Sequence, residues 1–152
     1  MQNNILEIFK NSGVQVLEES NSADNVLNIR VIPKDIYKAS ELIKSNNFDL
    51  LISVTAVDHI NYFECVYHFY STNKKEKIII KSHINRQVPD IKSISELYTT
   101  ANWHEREVYD MFGIHFLKHS NLKRILLPQD WIGHPLRKDY KMEDKRLSWN
   151  ER

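Results

Sequence analysis

The side chains able to do acid–base chemistry crowd into one stretch. Glu105, Arg106, Glu107 and Asp110 stand close together. On a helix, Arg106 and Asp110 are four apart and can pair, and Glu107 and Asp110, three apart, share a face. Two neighbouring carboxylates are the parts a general acid and base require. The same residues also build structural ion-pair networks, and that is the reading we favour. His115 and His119 have the spacing of zinc ligands on a helix. Gly113 interrupts a helix there, and no Glu lies between them to act as base. They read instead as histidines that bond backbone in a turn-rich segment. Trp131, His134, Pro135, Arg137 and Tyr140 could grip a nucleotide or a quinone. The only glycines are Gly13, Gly113 and Gly133, so no glycine-rich phosphate loop exists. Aromatics interleaved with arginine on irregular backbone are the composition of interface hot spots, which favours a partner surface.

The elements that must position these residues follow from periodicity. Residues 3–12 read as a short helix with Ile5, Leu6, Ile8 and Phe9 on its apolar face and Gly13 as its stop. Val14–Glu18 reads as a strand, and 21–25 as a turn. Leu27, Ile29 and Val31 alternate with Asn28 and Arg30, the pattern of a half-buried strand. Pro33 opens a second helix, on which Ile36, Ala39 and Ile43 recur, and Asn46-Asn47 ends it. Leu50–Val57 reads as a central strand, followed by Phe63–Tyr70 and Lys77–Ile84 around a polar hairpin loop at 71–76. Short links make these three antiparallel neighbours.

Residues 85–90 read as a loop. Ser93 and Glu96 have capping-box spacing. From there Ile94, Tyr98, Ala101, Glu105, Val108 and Phe112 form a helical stripe, continuous or broken near Asn102 and Trp103. Gly113 is its left-handed stop. Glu105 interrupts the apolar stripe, and a carboxylate there is costly without a partner. Arg124, Arg137 or a run of backbone amides would supply one, tying the helix to residues 114–127. After Pro128 regular periodicity is lost. The expectation is an α+β domain of two layers, a mixed, mostly antiparallel sheet packed by helices, over 1–127. An extended C-terminal arm follows over 128–152.

At 152 residues with 41% hydrophobic content, one domain and one core are expected. A net charge of +1 speaks against non-specific nucleic-acid or membrane-surface binding. The single cysteine, Cys65, allows neither an internal disulfide nor a cluster built on cysteine ligands alone, and reads as a small buried hydrophobe in a reducing compartment. No run is long and apolar enough for a membrane span, and the N-terminus does not read as a targeting peptide. Any membrane link would come through a partner.

The stretch from Trp103 to Tyr140 closely resembles the signature of the C-type (30 kDa) subunit of the proton-pumping NADH:quinone oxidoreductase, respiratory complex I. Trp103, Glu105, Arg106, Glu107, Tyr109, Asp110, Phe112, Gly113, Ile114 and Phe116 match its first half. His119, Leu122, Arg124–Leu126, Asp130, Trp131 and Gly133–Tyr140 match its second. Weaker similarity reaches back to Leu50 through Thr55–Asp58. Where the family usually has His-Pro-Asp-Leu, this chain has His119-Ser120-Asn121-Leu122.

The resemblance implies a non-redox scaffold of the hydrophilic arm with no cofactor of its own. The FMN, iron–sulfur clusters, NADH and quinone would belong to neighbouring subunits. It implies packing against the D-type subunit, which holds the quinone site, close to the B-type subunit with the terminal cluster and to other hydrophilic-arm subunits. It also implies a peripheral place on the cytoplasmic side of the bacterial membrane, or on the matrix side if organellar. The signature residues expected to face partners or shape the domain are Glu105, Arg106, Glu107, Asp110, Phe112, Gly113, Trp131, Gly133, His134, Pro135, Arg137, Lys138, Asp139 and Tyr140. A chain ending at Leu127 would then fold yet fail to join its partner. The alternatives are the equivalent subunit of a membrane-bound hydrogenase or of an F420- or ferredoxin-linked oxidoreductase, a free-standing metal enzyme, and a nucleic-acid module.

Overall fold

A computed structural model describes residues 2–142, with side chains from Ile5 onward. The fold is α+β. In chain order it runs α1 (Gln2–Asn11), β1 (Val16–Asn21), β2 (Leu27–Val31), a single 3-10 turn (Pro33–Asp35), α2 (Ile36–Ser45), β3 (Leu50–Asp58), β4 (Tyr62–Ser71), β5 (Glu76–Asn85), β6 (Asp90–Lys92), α3 (Ala101–Phe112) and β7 (His115–Leu117).

Five strands form one sheet in the order β1-β2-β5-β4-β3. All its pairs are antiparallel except β2 with β5, which run parallel. Alternation decides the core face. Leu27, Ile29 and Val31 of β2, Phe63, Cys65, Tyr67 and Phe69 of β4, and Ile78, Ile80 and Ile84 of β5 are all buried. They meet Ile5 and Phe9 of α1, Ile36, Ala39 and Ile43 of α2, and Ala101, Val108 and Phe112 of α3 in one core. The Cys65 thiol lies in that core, where burial pushes its pKa well up.

Four expectations need correction. Leu50–Val57 is not central: β3 is an edge strand, paired only with β4. Its apolar run misled because Leu50, Ile52 and Val57 are exposed, and a bulge falls between Leu51 and Ser53. The helical stripe begins at Ala101, and residues 95–100 are turns. The Ser93–Glu96 capping box does not form. Ser93 gives its hydroxyl to Glu105, and Glu96 accepts from the Tyr37 hydroxyl. Finally, a second, parallel pair, β6 with β7, falls where the sequence suggested only loops. Three-residue strands are too short for alternation to reveal.

Gly113 ends α3 at φ +70°, its amide bonded to the Tyr109 carbonyl. The turn that departs from the family's proline-containing pattern is held by its histidine: the His119 Nδ1 accepts the Asn121 amide at 3.0 Å. Phe63 joins the layers. Its ring meets Phe112 edge-on at 6.2 Å, and the guanidiniums of Arg86 and Arg137 sit 4.8 and 5.2 Å from its centroid. Phe63→Ala is expected to cost roughly 3–5 kcal/mol in urea unfolding. A loss below about 1 kcal/mol would mean that the layers do not depend on this ring.

Candidate functional site

Helix α3 carries two buried carboxylates, and their environments drive them opposite ways. Asp110 is fully buried. Its Oδ1 takes Arg124 Nη1 at 2.6 Å, and its Oδ2 accepts three consecutive amides, Ile125, Leu126 and Leu127, at 3.0, 2.8 and 3.0 Å. Burial alone would raise its pKa. The amides and the guanidinium outweigh burial and hold it below the ordinary carboxylate value. Glu105, equally buried, has only the Ser93 hydroxyl at 2.5 Å and the Ile94 amide at 2.8 Å. Burial wins there, and its pKa rises to about 7.

The amide run and the arginine expected for Glu105 therefore serve Asp110. Glu105 ties α3 to the 93–94 turn, not to 114–127. Arg106 does not form its ion pair with Asp110; its guanidinium donates to the carbonyls of Lys123 and Arg124 and stacks over Trp103. Glu107 is exposed. His119 lies 3.9 Å from Glu105, but its Nε2 donates to the Asn102 carbonyl at 3.1 Å. His115 is exposed on β7, with Tyr109 edge-on to its ring.

Residues 128–142 contain no helix or strand, yet they do not project. They fold back over the C-terminal end of α3. Arg124 Nη2 donates to the carbonyls of Trp131 and Gly133 at 3.0 and 2.8 Å. His134 Nδ1 donates to the Asp110 carbonyl at 3.0 Å, and the Leu136 amide to the Met111 carbonyl. Arg137 Nε donates to the Phe112 carbonyl at 2.6 Å. Three of the last helical carbonyls are thus capped by the arm, the groups every helix leaves unsatisfied. Pro135, next to His134, is half-buried.

A second anchor lies further on. The Lys138 amide donates to Asp58 Oδ2 at 2.8 Å, and Arg86 bridges Asp58 to Asp139, reaching the latter at 2.6 Å. Two glycines fit this packing. A Cβ on Gly113 would lie 2.5 Å from the His134 ring, and one on Gly133 would lie 2.8 Å from Tyr140. Residues 143–152 of the expected arm lie outside the described residues.

Asp58 and Arg86 escaped the sequence reading as site residues. Arg86 sits alone in a loop, with partners 28 and 53 positions away, and no local pattern marks it. Of the arm's polar groups, the His134 and Arg137 side chains and the Leu136 and Lys138 amides face inward. Leu126, Ile132, Leu136 and Met142 stand 55–61% exposed, and Trp103 on α3 is exposed too.

Residues 29–146 match the family model described as the 30 kDa subunit of respiratory-chain NADH dehydrogenase. The C-type subunit of the NADH-quinone oxidoreductase of Citrifermentans bemidjiense is 46% identical over 99 residues, 63% of this chain and 62% of that protein. A fused C/D-type subunit of the same enzyme from Buchnera aphidicola is 40% identical over 106 residues, 63% of this chain and 18% of that protein. The chain thus spans less than two thirds of the length of these relatives. Among solved structures, the trypsin-resistant fragment of Nqo5 superposes with a TM-score of 0.69 at 22% identity, covering 80% of this chain and 98% of that one. At that identity the likeness speaks for the fold.

Two outcomes test the paired carboxylates. Asp110→Asn leaves the Arg124 guanidinium without its counter-charge and should cost roughly 3–5 kcal/mol in urea unfolding. The Glu105 effect is a pH dependence. Between its ordinary value of 4.5 and about 7, the folded chain keeps a proton that the unfolded chain has lost. Its contribution to stability is complete below that window and declines as pH rises through it. Glu105→Gln should flatten the decline of stability between pH ~5 and ~7.5, measured by urea titration at several pH values. An unchanged slope would show that Glu105 is not its source.

Proposed function

The chain belongs to the family of the 30 kDa subunit of respiratory-chain NADH dehydrogenase, and we propose that it is the non-redox scaffold subunit of the hydrophilic arm of complex I. In this reading it supports electron transfer from NADH to quinone, coupled to proton translocation, by holding its neighbours in place. It binds no FMN, cluster or quinone itself. It packs against the D-type, quinone-site subunit and lies near the B-type, terminal-cluster subunit. It sits peripherally on the cytoplasmic side of the membrane, or on the matrix side if organellar; no helix among the described residues is long and apolar enough to cross a bilayer.

The observation that carries the proposal is the division of labour along the arm. The His134 ring, the Arg137 guanidinium and the Leu136 and Lys138 amides are spent on capping α3 and on Asp58, and the apolar side chains Ile132, Leu136 and Met142 are turned outward. A chain orders apolar side chains toward water only at a cost, unless another surface covers them. Electron transfer between fixed centres needs rigid spacing, and a prefolded arm gives contact area without ordering on binding. The fusion of a C-type to a D-type segment in the Buchnera relative fits a partner held at fixed distance. The match of the family and of its members' names to NADH-quinone oxidoreductase favours this reading over the hydrogenase and the F420- or ferredoxin-linked alternatives.

Truncation after Leu127 would strip the caps from α3 as well as the docking surface, so point changes are the cleaner test. Ile132→Asp together with Leu136→Asp should leave the melting temperature of the isolated chain unchanged and abolish co-purification with the quinone-site subunit from membranes. Normal co-purification of that double variant would defeat the proposal.

A further inference from the structure

The helices cover one face of the five-stranded sheet, and among the described residues no element covers the other. Alternation places Tyr70, His68, Val66 and Glu64 of β4 beside Lys77, Ile79, Lys81 and His83 of β5 on that face. Arg30 of β2, the Cα partner of Lys81, lies there too. A purely solvated face would alternate small polar and charged residues. Here the centre is apolar: Val66 is only 7% exposed, and half-buried Ile79 lies diagonally across the strand pair.

The charges of this face are unequally satisfied. Glu18 takes Arg30 Nη2 at 2.7 Å. Glu64 takes His83 Nε2 at 2.8 Å, and Lys81 only distantly, at 3.9 Å. Arg30 Nη1 also lies 3.1 Å from His83 Nδ1, so both carboxylates are bound into one network. Lys77 is exposed and makes no ion pair among the described residues. Burial, and with it the two lysines, keeps the His68 pKa below its ordinary value, as a positive potential over the centre requires. Four positions apart on one strand, Lys77 and Lys81 stand roughly 13 Å from each other, with Ile79 between them.

We propose that the uncovered sheet face is a second docking surface, for a protein segment that carries carboxylates. Its acidic groups pair with Lys77 and Lys81, and its apolar part covers Ile79, beside Val66, which the chain itself already buries. This surface is distinct from the C-terminal arm, and the inference rests on the reading of the chain as a complex subunit. A phosphate polyanion fits less well, because it has no apolar part to cover half-buried Ile79.

The test compares lysine acetylation by an N-hydroxysuccinimide ester, read by mass spectrometry, in the membrane assembly and in the purified full chain. Lys77 and Lys81 should label roughly tenfold more slowly in the assembly, and exposed Lys34 and Lys75 serve as references. A zero-length carbodiimide should join Lys77 or Lys81 to an Asp or Glu of another polypeptide. An assembly that contains the chain but leaves both lysines as reactive as in the free chain overturns this surface alone. So does protection that disappears on nuclease treatment or delipidation. A wild-type chain that never enters the assembly overturns the scaffold reading and this inference with it.

Discussion

A fully buried carboxylate must be met by enough donors to replace water, and Asp110 is met by four. Three successive amides and one guanidinium converge on it. The turn at 124–127 takes its shape from this carboxylate, while the arm beyond adds short turns of its own that close at Trp131, Arg137 and Tyr140. Arg124, once anchored, still has Nη2 free to hold the carbonyls of Trp131 and Gly133, and so passes the constraint along the chain. Removing one partner of such a group leaves the other charge buried, which costs more than the pair contributes when intact.

The same helix shows why residue type alone does not fix a group's state. Glu105 and Asp110 are five positions apart and equally inaccessible to water. One has a single amide and a hydroxyl, the other three amides and a cation. The fuller donor set around Asp110, and the deeper burial of Glu105, leave Glu105 shared between its two protonation states near neutrality and keep Asp110 charged. Asp58 repeats the second solution at the far end of the arm, with Arg86 in the role of Arg124. Two carboxylate–arginine anchors therefore bracket residues 124–139. Between them the arm caps the end of α3, so helix and arm each complete the hydrogen bonding of the other.

The consequence for function is rigidity without a large interior. The sheet and the helices packed on it give the chain one core. The anchored arm extends that rigidity over a segment with no secondary structure. In the role proposed above, a scaffold between redox-active neighbours needs a surface whose position does not depend on binding, and backbone pinned by buried charge would meet that need.

Whatever repeats locally could be read from the chain before any fold was in hand. The alternation of Leu27, Ile29 and Val31, the stripe Ala101, Glu105, Val108 and Phe112, and Gly113 as a left-handed stop are all local signals. They were legible because side-chain period and backbone φ are set by neighbours in the chain. Which groups meet was settled by long-range packing instead. That packing put β3 at the edge, joined β2 to β5 in parallel, paired β6 with β7, and gave the amide run to Asp110 in place of Glu105. Arg86 became a keystone through partners 28 and 53 positions away. Hydrogen bonds and ion pairs between distant segments are chosen by how the sheet and helices come together, and a carboxylate's sequence neighbours carry no record of which donors will arrive there.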